Sequence, residues 1–283
     1  MYCYGAGRVG LAVARLARAR GVAVAGLWNP HPLRPERAAL AEGHVVSITA
    51  RPLAMATDLW LLTVPDHAIA DVAAALADQS TLPRAAAHCA GAHPATLLAR
   101  LAAAGVACGS WHPAMTFRGE PDDVAALADA GIALEGDAEA VALLVAFTDA
   151  LGLSRTAVAT ERKALYHAAL VVACNGRMAL DAAAARLLAS AGLDPDAAER
   201  LLRPLIARTE QNLRAALPGA VLTGPVARGD AETVRVELAA LAGEPALLAL
   251  YRALGTIALD LVPPDIRGEG HRQVAILIAE RAC

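Results

Sequence analysis

The sequence predicts an α/β protein in two parts: a doubly wound, mainly parallel sheet over residues 1–153 and an all-helical region over 154–283. Three observations predict it. Short apolar runs alternate with helical patterns through the first half, as strands joined by crossover helices do. A glycine-rich turn lies at the first strand-to-helix junction. After Leu153 the alternation stops, and from Arg162 onward nearly every segment has helical spacing. A chain of 283 residues suits two domains of ordinary size.

The elements follow in order. Residues 2–4 form a short strand before the glycine turn, and 9–20 a helix. A second strand covers 22–28, a helix 35–42 and a short strand 45–48. An apolar strand over 58–64 stops at Pro65, which has no N–H for the ladder. Then come a helix at 68–77, a strand at 85–89, a helix at 94–104, strands at 106–111 and 132–135, and a helix at 138–150. Residues 162–191 read as one long helix, apolar around most of its circumference. Such a helix is normally buried at a domain centre or in a dimer interface. Asp194 caps the next helix, which runs to residue 217 and contains Pro204 as a kink point. Asp230 caps a helix at 231–242, and Pro245 starts one at 246–261.

Composition narrows the function. Hydrophobic residues make up 57% of the chain, and much of that is alanine, which favours helix and close packing. Aromatics at 3% are too few for a stacking platform, and a net charge of −3 without a basic run points away from nucleic acid and anionic membranes. Charge or glycine breaks each apolar stretch before about 18 residues, so no membrane span is expected. No leader-like N-terminal pattern is seen. Cys3, Cys89, Cys108, Cys174 and Cys283 are odd in number and scattered, as expected for reduced thiols in a cytoplasmic protein. No metal is expected, because His, Cys and acidic residues do not cluster with ligand spacing.

Gly5-Ala6-Gly7-Arg8-Val9-Gly10 is a GxGxxG that follows a strand and opens a helix. In that context the first glycine permits the tight turn, the second lets the backbone approach a pyrophosphate, and the third lets helix pack closely on strand. The helix start offers free N–H groups and a positive dipole end to the phosphates. This is a Rossmann dinucleotide site, with Gly5, Gly7, Arg8, Val9 and Gly10 at the cofactor. The second strand is followed by Asn29, where an NAD enzyme usually carries an acid, and Arg34 and Arg37 come soon after. A neutral side chain plus arginines suits the 2′-phosphate of NADP; the same arginines also fit ordinary surface charge. Val64 and Pro65 end the fourth strand at the sheet edge where ligands lie, a position that also suits a plain turn.

Four residues are candidates for the chemistry. His112 follows the strand at 106–111, at the same carboxyl edge. His167 and Asn175 lie in the apolar stretch 164–180, where burying either without a partner is costly. On a uniform helix they stand about 80° apart in rotation and about 12 Å apart in rise, with Lys163 one turn before His167. Arg228, in the turn-rich string Thr223–Asp230, suits a substrate carboxylate. Asp230 there equally fits a helix cap with Arg228 as its partner.

GAGRVG (5–10), VPDHAI (64–69), HCAGA (88–92), WHPAMTF (111–117), LYHAALVVACN (165–175) and LTGPVARGD (222–230) together resemble the Rossmann-like, DUF2520-containing family across essentially the whole chain. That family is similar to the 6-phosphogluconate, hydroxyisobutyrate and pyrroline-5-carboxylate reductases. The resemblance implies NADP as cofactor, a helical C-terminal domain that often builds a homodimer, and in some members reduction of ketopantoate. It also places Gly91 near the cofactor. Ala90 stands where the family pattern has serine, which removes one hydroxyl there. The expected reaction is hydride transfer from NADPH to a small carboxylate-bearing 2-oxo acid. His167 is its proton donor, Asn175 orients the substrate, and His112 and Arg228 contact the carboxylate. An imine or imino-acid reductase and a non-catalytic NADP-binding protein are the alternatives.

Overall fold

A computed structural model describes residues 1–279; Cys283 lies outside the described residues. The chain divides into two compact units, Met1–Arg177 and the remainder from Met178.

The first unit is built on an eight-stranded sheet in the order β3-β2-β1-β4-β5-β6-β7-β8. The strands are β1 (Tyr2–Tyr4), β2 (Gly26–Asn29), β3 (Val46–Ile48), β4 (Leu59–Leu62), β5 (Ala85–His88), β6 (Ala107–Pro113), β7 (Gly131–Gly136) and β8 (Ser154–Ala157). All pairings are parallel except β6 with β7. The helices are α1 (Arg8–Ala19), α2 (Pro35–Leu40), α3 (Ile69–Ala77), α4 (Ala99–Ala103), α5 (Asp123–Ala128), α6 (Ala138–Ala150) and α7 (Lys163–Val171). The expected doubly wound, mainly parallel sheet is therefore present.

Strand alternation divides the core into two layers, because successive side chains point to opposite faces. Cys3, Leu59, Leu61, Ala85 and Ala87 pack with Leu11, Val13, Leu144 and Phe147 of α1 and α6. Tyr2, Tyr4, Trp60, Leu62 and Ala86 pack with Ile69, Val72 and Leu76 of α3 and Leu101 of α4. Burial on both faces is why the strands read as continuous apolar runs.

Arg177, the last residue of the first unit, opens α8 (Arg177–Ser190); the second unit contains the rest of α8, α9 (Pro195–Ala215), α10 (Pro218–Val221), α11 (Pro225–Arg228), α12 (Ala231–Ala240), α13 (Pro245–Leu261) and α14 (Glu269–Ala279). Its core joins Val234 and Leu238 of α12 to Leu247 and Leu248 of α13 and to Val274 and Ile278 of α14. Both expected caps form: Asp194 accepts from the Ala197 N–H at 2.7 Å and Asp230 from the Thr233 N–H at 3.1 Å.

Several expectations need correction. The region from residue 154 is not wholly helical, because Ser154–Ala157 adds β8 beside β7. SRTA is too short and polar to show a strand period, and the pairing edge of β7 creates that strand. Residues 22–25 precede β2 rather than forming part of it. The helix over 162–191 is not buried within the chain. No residue of α8 is buried, and Leu165, Val172 and Met178 are each more than 60% exposed. Nor is it uniform, since a π-helical turn at Val172–Gly176 separates α7 from α8.

The same helix, Thr160–Ser190, is long enough to cross a membrane and holds an 18-residue window apolar enough to do so, with a mean hydropathy of 1.3. Gly176 does not interrupt it as expected, because the π turn carries the helix through. One such helix is weak evidence for a span. The Nζ of Lys163, on its first turn, donates to Ser110 Oγ in β6 at 2.6 Å, a bond that a membrane crossing would have to break.

Candidate active site

The glycine turn between β1 and α1 has the close approaches its spacing implies. Gly5 adopts φ +125°, and a β-carbon there would sit 2.7 Å from the Thr63 backbone. A β-carbon on Gly10 would collide with the Gly5 carbonyl oxygen. At Gly7 the nearest atom to such a carbon is the Thr63 carbonyl oxygen, 4.0 Å away, so space stays open over the helix start. Gly7 caps α1 without a side-chain bond, and the first turn carries no acid. The leading N–H groups and the positive dipole end are thus left for an anion. This cradle fits a dinucleotide diphosphate.

The flanking residues extend it. Thr63 Oγ1 donates to the Gly5 carbonyl at 2.7 Å and locks the end of β4 to the turn. Val64 packs on the core layer beneath α3, and Pro65 leads into a short 3-10 turn, Asp66–Ala68. Val9 packs against the other core layer. Arg8 donates to the Phe117 carbonyl at 3.2 Å, tying the turn to the loop after β6. Asn29 ends β2, and its amide donates to the His31 carbonyl at 2.6 Å. Arg34 is exposed and Arg37 half-buried; among the described residues neither makes a hydrogen bond or ion pair.

The second half of the site lies at the carboxyl ends of β5 and β6. His88 is fully buried; its Nδ1 accepts from the Ala90 N–H at 3.1 Å, so Nε2–H donates to the Pro94 carbonyl at 3.0 Å. This brace shapes the loop that carries Gly91. A β-carbon on Gly91 would collide with His167 Nδ1 and come within 2.7 Å of His112 Nε2. The two imidazoles pack edge to face on that bare α-carbon, with centroids 5.6 Å apart. His167 Nδ1 is buried without a partner, although a buried polar atom normally has one.

His112, Met115, Thr116, His167, Val171 and Asn175 line one cavity of about 420 Å³, a usual size for a small-molecule site. The structure thus brings His112, His167 and Asn175 together. A uniform helix would not align the last two. The π turn takes up one extra residue, so the eight residues from His167 to Asn175 turn about as far as seven do on an α-helix. That leaves them about 20° apart in rotation instead of about 80°. Arg228 belongs to the second unit, where its guanidinium stands 4.0 Å from Asp230.

Sequence reasoning missed Glu135 and Tyr166 here, and it gave Lys163 a place beside His167 but no partner. Lys163 is 1% exposed and bonds Ser110. Glu135, also buried, accepts from the Ala95 N–H at 2.8 Å and the Thr160 hydroxyl at 2.9 Å. Tyr166 hydrogen-bonds His112 Nδ1 at 2.8 Å. The polar letters of α7 were visible, but the partners of Lys163 and Tyr166 come from β6, more than fifty residues away in sequence.

Burial sets the charges. It pushes the Lys163 amine below its ordinary value, partly offset by Glu135. Burial first, and then the Lys163 charge, push His88 down to about 4 against the pull of the Pro94 carbonyl. Burial, then His167, Lys163 and His88, push His112 down to about 4. Both rings are therefore neutral at neutral pH.

Residues 130–257 match the family model described as "Domain of unknown function (DUF2520)", which bears out the resemblance over that stretch. No curated protein sequence matches the chain. Among solved structures, protein TM1727 from Thermotoga maritima is 21% identical, with 94% of this chain and 99% of that one covered and a TM-score of 0.75. BF3122 from Bacteroides fragilis, a proposed NADP oxidoreductase, is 23% identical, with coverages of 92% and 97% and a TM-score of 0.70. The reductive aminase from Aspergillus terreus, in complex with NADPH4, cyclohexanone and allyl amine, is 19% identical, with coverages of 98% and 97% and a TM-score of 0.59. At these identities the likeness establishes a shared fold: a Rossmann sheet with a helical C-terminal region.

Two outcomes follow from the packing. Unfolded histidine titrates near pH 6.5, so His88 and His112 take up protons on unfolding between about 6.5 and 4. Their contribution to stability is fully present above the upper value and lost as pH falls toward the lower. For His88 it amounts to about 3 kcal/mol at most. Thermal denaturation across that range should show Tm falling, and His88→Asn should flatten the curve; an unchanged slope would place the titration elsewhere. Gly91→Ala should cost about 1–3 kcal/mol by overpacking the two imidazoles. Gly243→Ala, with open space around it, serves as the control.

Proposed function

We propose that the protein is an NADPH-dependent reductase of a carbonyl or imine bond. The observation that carries the proposal is the pair of ring nitrogens, His112 Nε2 and His167 Nδ1, converging over Gly91 beside a cavity. They stand at the carboxyl edge of the same sheet whose first helix offers an uncapped start over the glycine turn. In open α/β sheets that edge is where ligand and chemistry meet. The reductive aminase relative, seen with NADPH, supports the coenzyme assignment.

The diphosphate would be held by the Gly5–Gly10 turn with Arg8 and Val9, flanked by Val64, Pro65 and Gly91. Asn29, Arg34 and Arg37 suit the 2′-phosphate, because arginine forms paired charge-assisted bonds to phosphate oxygens. When bound, NADPH supplies a hydride to the carbonyl or imine carbon. The protein's part is to orient that carbon and manage the charge on the heteroatom. Neutral His112 donates a hydrogen bond, His167 supplies the proton, and Asn175 fixes the substrate.

A small 2-oxo acid, ketopantoate included, is the finer reading. An imine is the second, favoured by the apolar lining from Met115, Leu170 and Val171. A cytoplasmic location goes with either, since NADPH is supplied there. The exposed Leu165, Val171 and Val172 support a homodimer.

Calorimetry should show NADPH binding more tightly than NADH, and NADPH absorbance should fall with a 2-oxo acid or a cyclic imine from a substrate panel. His167→Ala should lower kcat about 100-fold or more with NADPH affinity nearly intact. No coenzyme binding, or binding without turnover of any substrate, overturns the reading. Light scattering should give twice the 29.0 kDa chain mass; a monomer at micromolar concentration overturns the dimer.

A further inference from the structure

We infer that Tyr166 is a positioning residue: its hydroxyl donates to His112 Nδ1 and holds that ring in the tautomer whose N–H sits on Nε2, toward Gly91 and the unpartnered Nδ1 of His167. The inference deepens the reductase reading and rests on it for its consequence, but not for its geometry.

The argument is one of hydrogen-bond supply. Tyr166 Oη and His112 Nδ1 are 2.8 Å apart, and the rings meet edge to face at 88°. A neutral imidazole has one N–H and one acceptor nitrogen. If Nδ1 carried the proton and donated, the phenol hydrogen would need another acceptor. Among the described residues Tyr166 Oη has no other hydrogen bond, although a half-buried phenol normally donates. With the phenol as donor, both groups are satisfied and the imidazole proton falls on Nε2. The groups facing His112 are His167 and Lys163 from α7 and His88 from β5, all basic, and they disfavour a second proton on the ring. Burial raises the Tyr166 phenol, so it stays protonated and able to donate.

The consequence is a division of labour. His112 presents a fixed N–H at the cavity wall, suited to an acceptor atom such as a carbonyl oxygen or an imine nitrogen. Tyr166 does not line the cavity and acts only through His112. No proton leaves Tyr166 in this scheme.

The tautomer is read by long-range ¹H–¹⁵N NMR of the full-length protein at neutral pH, with His112→Gln identifying the ring signals. The wild type should show a protonated Nε2 and an unprotonated Nδ1. Tyr166→Phe should mix the tautomers and lower kcat about tenfold or more, with NADPH affinity and Tm held. A wild-type spectrum with the proton on Nδ1, or a Tyr166→Phe variant with unchanged spectrum and kcat, overturns the inference. The spectrum requires no turnover, so failure of the reductase reading would leave the tautomer result standing and separately legible.

Discussion

The site depends on backbone coming close to other groups where no side chain intervenes, at the carboxyl edge of one sheet. Gly5 and Gly10 bring the first helix onto β1 and the Thr63 backbone. Gly91 gives two imidazoles a bare α-carbon to rest on. At each position a single methyl group would meet backbone or a ring nitrogen, and close-packed interiors tolerate that poorly. Residues that look like permissive turn formers are therefore the spacers that set the distances of the site.

A buried polar group underlies the histidines. His88, Ser110, Glu135 and Lys163 are four of the few buried polar side chains among the described residues; the first three stand on the neighbouring strands β5, β6 and β7 and Lys163 reaches them from α7. Desolvating an amine and a carboxylate together is costly, and the cost is offset only by specific bonds. Here those bonds join the Gly91 loop, β7 and α7: Glu135 reaches Ala95 and Thr160, Lys163 reaches Ser110, and His88 spans its own loop. The cluster fixes the frame around the cavity, and the Lys163 charge adds to burial in keeping His88 and His112 neutral.

The long apolar helix has two roles on different faces. Toward the sheet it delivers Lys163, Tyr166 and His167; away from it Leu165 and Val172 remain in solvent. The π turn lies where the two roles meet, and it turns Asn175 onto the face of His167. Such turns often occur at functional sites because they shift the phase of a helix by one residue.

The sequence by itself determined the alternation of strands and helices, the glycine turn and its use, the caps at Asp194 and Asp230, and the candidacy of His112, His167 and Asn175. Each is written in local spacing or in the chemistry of adjacent residues, which a linear reading preserves. Only the tertiary structure decided that Ser154–Ala157 is a strand, that the apolar helix is exposed, that a π turn aligns His167 with Asn175, and that Tyr166 and Lys163 have partners in β6. Those facts depend on groups meeting across tens of residues, and neither hydrophobic period nor residue type records which distant backbone will arrive beside them.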